Sequence, residues 1–513
     1  MENKPNQSKE NKRLVDSYVI TADNVPAKIN IYKIQDDNVP LYEISMPELG
    51  AATEAFLANL REDLADKVPL DIENAIDPKK SAKLKENFYQ EVKQVLLQHL
   101  PKEKNVDIIA GVLVHRMYGL GFIDVIMSDD LLEELAINGS KQPLALYHKK
   151  FGWCKTNFWI KNEEEIYNLS SQIGRKIGRE ISSLHPLMDA HLLSGDRVAS
   201  TLFPITTGGN TITIRRFSRS PWTIIHMISP EFKTVSVEIA ALLWLAIQYE
   251  LNIMVAGGTA SGKTSLLSAL SALTPPNQRI ISIEDTREVS LPEHLQWNWI
   301  PMSSRSANPE GKGEITMLDL MVASLRMRPD RIIVGEVRRK EQAETMFEAM
   351  HTGHSVYTTM HADTVEQVKR RLLEPPIEIP QMQAESLHLV LIQFRDRRRG
   401  FRRSLELAEV LSGGTEKLET NFLYRWRPRT DTFEKVNDSI RIFEDLNIHT
   451  GMTPEEINND LKEKEMILNW MINNDVKDID KVGKFMKIYY NNKQRLLDII
   501  NNKEDLTVLF EGI

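Results

Sequence analysis

The chain is 513 residues long, 42% hydrophobic and 27% charged, an ordinary globular mix that excludes a wholly disordered chain and leaves room for about three units of ~150 residues. Lys plus Arg total 64 against 72 Asp plus Glu, a net charge of −8, so no global pull toward nucleic acid or anionic lipid is expected. Cys154 is the only cysteine, which excludes an internal disulfide and a four-cysteine zinc site and fits a reducing cytoplasm.

In chain order, residues 1–16 are rich in Asn, Lys, Glu and Gln without an apolar stretch, and read as a flexible solvated arm, not an export signal. Residues 17–100 carry two stretches with helical spacing, Glu48 to Leu64 and Ser81 to Leu100, and are read as a helical region. Residues 101–217 hold a helical stretch at Val106 to Tyr118, a turn at Asn138-Gly139 and strand-like runs at Leu144 to Tyr147 and Thr211 to Arg216, the pattern of an α+β domain. Ser218 to Pro230, with Pro221, Pro230 and several serines, is the expected linker. In residues 231–414 strands alternate with helices, which predicts a parallel sheet built on Asn252 to Ala256, Arg279 to Ile283, Arg331 to Gly335 and Val356 to Met360. The longest apolar run, Ile239 to Ile247, is about half a membrane span and reads as a buried helix. Residues 415–513 predict a short strand region around Trp426, then Lys- and Asn-rich amphipathic helices.

Gly257-Gly258-Thr259-Ala260-Ser261-Gly262-Lys263-Thr264 fits the phosphate-loop pattern in full, follows an apolar strand and opens a helix whose first turn includes Ser265. Its glycines let successive N–H groups face phosphate, Lys263 reaches the β and γ phosphates, and the Thr264 hydroxyl is a Mg²⁺ ligand. Two further apolar strands end in carboxylates, Arg331-Ile-Ile-Val-Gly-Glu336 and Ile280-Ile-Ser-Ile-Glu284-Asp285. Ligands of open α/β sheets gather at such strand ends, so one carboxylate serves the metal and the other the attacking water. His351, His354 and His361 surround a third strand end, with His361 the strongest candidate; none has metal-ligand spacing. GTPase-like matches at Asp480 to Gly483 and Asn502 to Asp505 fall in the amphipathic tail and are read as coincidence.

Four ordered motifs together resemble the secretion ATPases of type II and type IV systems: the phosphate loop, the acidic box Ile283 to Glu288, Gly335-Glu336-Val337-Arg338, and the histidine box from Thr352 to Asp363. The resemblance runs from about Gly195 to Arg403. It implies an α/β fold with a RecA-like P-loop ATPase core, an N-terminal α+β domain and helical N- and C-terminal extensions. It further implies ATP and Mg²⁺ as cofactors, Glu284 as catalytic base, Glu336 at the metal or water, and His361 as γ-phosphate sensor. Arg197 and Arg215 match the segments from which the family's N-terminal domain delivers arginines to phosphate. Arg287, Arg305, Arg326 and Arg328 lie where relatives keep arginines that act across subunits.

The family implies a homohexamer that works on a polytopic membrane platform protein, with only peripheral contact at the inner face of the membrane. Lacking the four-cysteine module of many bacterial members, the chain looks more like the archaeal branch. A pilus or secretion machine is favoured; an archaellum motor, a DNA-translocating P-loop motor and a nucleotide-gated scaffold are the alternatives, and no specific nucleic acid partner is expected. Arg395 to Arg403, six arginines in nine residues, is either a solvated face or a docking patch for acidic loops or anionic lipid.

Overall fold

The computed structural model describes residues 12–35, 37–47, 49–65, 78–100, 103, 105–177, 179–192, 195–216, 221–305, 307, 311–413 and 418–502. The chain divides into two compact units, Met1–Arg219 and Ser220–Ile513.

The first unit is built on a nine-stranded sheet of order β1-β2-β3-β6-β5-β4-β9-β8-β7. Its strands are β1 (Lys12–Ala22), β2 (Val25–Ile34), β3 (Leu41–Ser45), β4 (Leu132–Asn138), β5 (Pro143–His148), β6 (Gly152–Trp159), β7 (Leu187–His191), β8 (Arg197–Thr201) and β9 (Thr211–Arg215). Two expectations are corrected here. Lys12 to Asp16 of the expected arm belong to β1, while residues 1–11 lie outside the described residues. The expected helical region also opens with strands, because Val25, Ala27, Ile29 and Ile31 are buried in alternation with the less buried Pro26, Lys28 and Asn30, a period of two that only a strand can use. Asp23 and Asn24 turn the β1–β2 hairpin with φ of 44° and 67°, the left-handed conformation such residues tolerate. Helical spacing does hold farther on: helices Ala51–Ala65, Pro78–His99 and Val106–Met117 share a separate small core around Leu57, Phe88, Val92 and Leu113.

The second unit holds another nine-stranded sheet, of order β12-β11-β13-β14-β10-β15-β16-β17-β18. Its members are β10 (Ile253–Gly257), β11 (Ile280–Glu284), β12 (Trp299–Ser303), β13 (Arg331–Val334), β14 (Ser355–Met360), β15 (Leu389–Arg395), β16 (Arg402–Val410), β17 (Thr420–Arg427) and β18 (Thr432–Lys435). From β12 to β15 neighbouring strands are parallel, and β15 to β18 continue antiparallel. Strands β10, β11, β13 and β14 are buried at every residue, as expected when helices cover both faces of a parallel sheet. This is the α/β P-loop core that the motifs anticipate.

Two boundaries differ from the sequence reading. Within the expected linker, Ile224–Ile228 forms a short helix whose Ile224, Ile225, Met227 and Ile228 join the core of the second unit; an apolar run of this kind is more stable buried than as a solvated hinge. Residues 217–220 lie outside the described residues. The strand around Trp426 and the helices after it are found as read, but the boundary expected at residue 414 falls inside one unit. Strands β17 and β18 extend the sheet, and Ile467, Leu468, Phe485, Met486 and Leu496 pack into the same core as the helix after β10. Trp244 Nε1 donates to Tyr490 Oη at 3.1 Å and Tyr490 Oη donates to Leu273 O at 2.8 Å, which ties the tail to the end of that helix. Asp480 to Gly483 lies on the tail helix Ile479–Asn491, where Asp480 accepts a hydrogen bond from Glu293 N. Of the other GTPase-like match, Lys503 to Asp505 lie outside the described residues.

Candidate nucleotide site

Strand β10 ends at Gly257, whose φ is +154°; a Cβ there would stand 2.2 Å from Gln393 O on β15, so only glycine permits the turn off the strand. The chain then curls through Ala260 (φ 59°) and Gly262 (φ 92°) into the helix Lys263–Ser271. Thr264 is half-buried and Ser265 exposed on its first turn. Lys263 is only 8% exposed, and its ammonium donates to Gly257 O and Gly258 O at 3.0 Å each. Burial holds its pKa below the ordinary lysine value. The loop thus has the curled backbone and inward cation that a phosphate chain requires.

Three neighbouring strand ends bring their polar groups to this loop. His361, just past β14, accepts from Lys263 Nζ at Nδ1 (3.3 Å), and its Nε2 lies 3.1 Å from Glu336 Oε1, just past β13. An ammonium can only donate and a carboxylate only accept, so a neutral ring protonated on Nε2 satisfies both contacts. Burial, and then the Lys263 charge, lower the His361 pKa and favour that neutral form. Glu336 Oε2 also accepts from Arg338 Nη2 at 2.8 Å, and Arg338 Nη1 reaches Asp285 Oδ2 at 3.2 Å. Arg338 and Asp285 therefore join the cluster, although the sequence reading assigned them no role. Asp363 Oδ1 lies 3.0 Å from the position of a Cβ on Gly258, which also brings the last member of the histidine box to the loop.

Glu284 ends β11 and is 1% exposed. Its Oε1 accepts from Glu288 N and Val289 N at 2.8 and 3.0 Å, while Oε2 is buried with no hydrogen-bond partner among the described residues. Desolvation pushes its pKa up to about 7. A buried carboxylate oxygen without a donor is costly to retain, and it is what a proton acceptor for a bound water would present.

The other candidates are placed less centrally. His354 Nδ1 bonds within its own turn, to Thr352 Oγ1 at 3.2 Å and Ala349 O at 3.3 Å, and His351 is exposed. In the first unit, Arg197 and Arg215 are cross-strand partners on β8 and β9 and so share one face of the sheet; Arg197 Nε also donates to Asp189 Oδ1 at 2.9 Å. Among the described residues no group of three His, Cys, Asp or Glu could hold a metal ion alone. Mg²⁺ fits this chemistry differently, since it usually takes one or two protein oxygens together with substrate phosphates, and the Thr264 hydroxyl and Glu336 are suitable donors.

The family model for "Type II/IV secretion system protein" matches residues 196–397. An uncharacterized protein of Methanocaldococcus jannaschii is 32% identical over 417 residues, covering 79% of this chain and 74% of the relative. The chain belongs to the type II/IV secretion system protein family. The type IV secretion system protein PtlH of Bordetella pertussis is 30% identical over 266 residues, 47% of this chain and 76% of PtlH. A second uncharacterized M. jannaschii protein is 42% identical over 240 residues, 46% of this chain, and the chain spans only 32% of its length. The family match begins at Asp196 and contains the phosphate loop, both carboxylate strand ends and the histidine box. No helix among the described residues is long and apolar enough to cross a membrane.

Proposed function

We propose that this family member is a Mg²⁺-dependent ATPase that works as a homohexamer and powers assembly of a type IV pilus-like filament, or protein secretion, through a membrane platform protein. The observation that carries this reading is the convergence of Lys263, His361 and Glu336 at one glycine-lined loop, with Glu284, whose Oε2 is buried and unpartnered among the described residues, ending the strand next to the one that carries Glu336.

The loop N–H groups of Gly258 to Ser265 and the Lys263 ammonium bind the phosphates. Bound beside Thr264 and Glu336, Mg²⁺ would neutralise charge developing on the phosphate oxygens. Glu284 Oε2 accepts a proton from the attacking water, a task suited to a carboxyl whose pKa burial has raised to about 7. His361 links Lys263 to Glu336, so a change at the terminal phosphate is felt at once on β13 and β14. Arg197 and Arg215, side by side on one sheet face, are the candidates to bring further positive charge to phosphate, a role for which bidentate guanidinium groups are suited. Opening and closing of the two units over nucleotide would supply the stroke.

The alignments to M. jannaschii proteins and the single cysteine favour an archaeal type of machine; work on a membrane platform protein would place it at the inner face of the cell membrane. Steady-state phosphate release by the full chain tests the activity. Turnover that requires Mg²⁺ and disappears in Lys263→Ala is expected; undiminished turnover in that variant would remove the site assignment. Stimulation by DNA would instead favour the translocating motor.

A further inference from the structure

The arginine run from Arg395 to Arg403 is divided among different tasks. Asp396 Oδ1 accepts from Arg398 N and Arg399 N at 2.9 and 3.0 Å, which closes the turn between β15 and β16. Arg403 is drawn inward, pairing with Asp431 through Nε at 2.7 Å and Nη2 at 2.8 Å. Arg402 turns to the phosphate loop: its Nε donates to Ala260 O at 3.3 Å, and its Cδ lies 3.3 Å from the position of a Cβ on Gly262. A basic patch in sequence thus becomes, at Arg402, part of the wall around the loop.

Strand order indicates which part of a nucleotide that wall would meet. On one side of β10 stand β14, β13 and β11, and on the other β15 and β16. Within this unit, the groups assigned above to the terminal phosphate, metal or water come from the first side: His361 after β14, Glu336 after β13 and Glu284 on β11. His361, and through it Glu336, meets the Gly257–Gly258 half of the loop by way of Lys263 and its bonds to those carbonyls. Arg402 comes from the opposite side and meets the Ala260–Gly262 half. A nucleotide with its terminal phosphate toward the carboxylates must extend its nucleoside the other way.

We propose that Arg402 forms the nucleoside side of the site, its planar guanidinium lying against the purine ring and ribose of the bound nucleotide. The inference rests on the loop being a nucleotide site, as proposed above. Its chemical basis is that a guanidinium is planar, permanently charged and weakly hydrated, which suits it to stack on an aromatic face. The contact with Ala260 O and the packing on Gly262 hold the side chain beside the loop before a nucleotide arrives, so less side-chain entropy is lost on binding.

The test compares ATP with inorganic tripolyphosphate, which has the phosphates and lacks the nucleoside. Binding of each to the full chain with Mg²⁺ is measured by calorimetry for wild type, Arg402→Ala, and Arg402→Met, which retains an unbranched stem against Gly262. Both variants are expected to bind ATP about tenfold more weakly, between the scale of an exposed and of a desolvated cation–ring contact, and tripolyphosphate within about twofold of wild type, since no phosphate contact is lost. Equal weakening for both ligands, or no weakening for either, would overturn the proposal. Lys263→Ala separates the two readings. If it binds both ligands as wild type does, the nucleotide site itself is wrong; if it loses both while the Arg402 variants bind ATP normally, only the role of Arg402 falls.

Discussion

Glu284 and Glu336 stand at the ends of two adjacent parallel strands, β11 and β13, and their surroundings are opposite. Glu284 is 1% exposed and keeps one oxygen without a hydrogen-bond donor, whereas Glu336 is gripped by Arg338 and His361. Burial makes the first carboxyl reluctant to carry charge and so ready to take a proton near neutral pH. Paired donors keep the second oriented beside the lysine and loop where a cation and phosphates would gather. Two residues that look alike in sequence, each a glutamate closing an apolar strand, are thus differentiated by their neighbours.

The largest expected effect would remove what both carboxylates act upon. Lys263→Ala deletes the cation at the centre of the cluster and should bring ATP turnover to background, with nucleotide binding lost in a filter or fluorescence assay. Next, Glu284→Gln should lower turnover about a hundred- to ten-thousand-fold, the range for loss of a general base, while ATP still binds. Turnover within tenfold of wild type would remove Glu284 as the base. Glu336→Gln should act differently, raising the Mg²⁺ concentration needed for half-maximal activity by more than it changes ATP affinity. Should the two glutamine variants share one Mg²⁺ profile, the contrast between these carboxylates would have no functional meaning.

Acidity sharpens the same contrast at smaller amplitude. Turnover should rise as pH increases through about 7, when Glu284 becomes an anion able to accept a proton. Its effect on stability has the opposite sense. The folded-state pKa of about 7 lies above the reference value of 4.5, so the folded state binds more protons between these values. Its contribution is then fully present below pH 4.5 and lost as pH rises to about 7, a change of no more than about 3 kcal/mol. Glu284→Gln should flatten that part of a denaturation-versus-pH curve, and an unaltered slope would count against the buried carboxyl. The smallest effect belongs to Tyr490→Phe, remote from both carboxylates, which removes the hydroxyl joining Trp244 to Leu273. It should cost about 2 kcal/mol of stability in urea denaturation, because two hydrogen bonds are lost and the buried Trp244 N–H is left unpaired, and leave Mg²⁺ dependence unchanged.

Much of this site is legible in the sequence because its parts are local. A glycine-rich loop between an apolar strand and a helix, and a carboxylate closing a short apolar run, are patterns a few residues long set by backbone geometry and burial. The four strands β10, β11, β13 and β14 fall within a residue or so of their predicted runs for that reason. Errors occur where a longer pattern was needed. The alternation of Ala27, Ile29 and Ile31 announced a strand, but it lies in a polar segment next to strongly helical stretches. Ile224 to Ile228 was hidden by the prolines and serines around it.

The sequence by itself determined the phosphate loop, the carboxylate-ended strands and the order of motifs that places the chain in its family. Only the tertiary structure decided that His361 would bridge Lys263 to Glu336, that Glu284 would lose its solvent, that the tail would close the core behind the loop, and that Arg402 would leave the arginine run for Ala260. The physical reason is that backbone conformation is encoded over a few neighbouring residues. Desolvation and contact depend instead on strands far apart in the chain meeting in one sheet, and no local spacing specifies which of them will be neighbours.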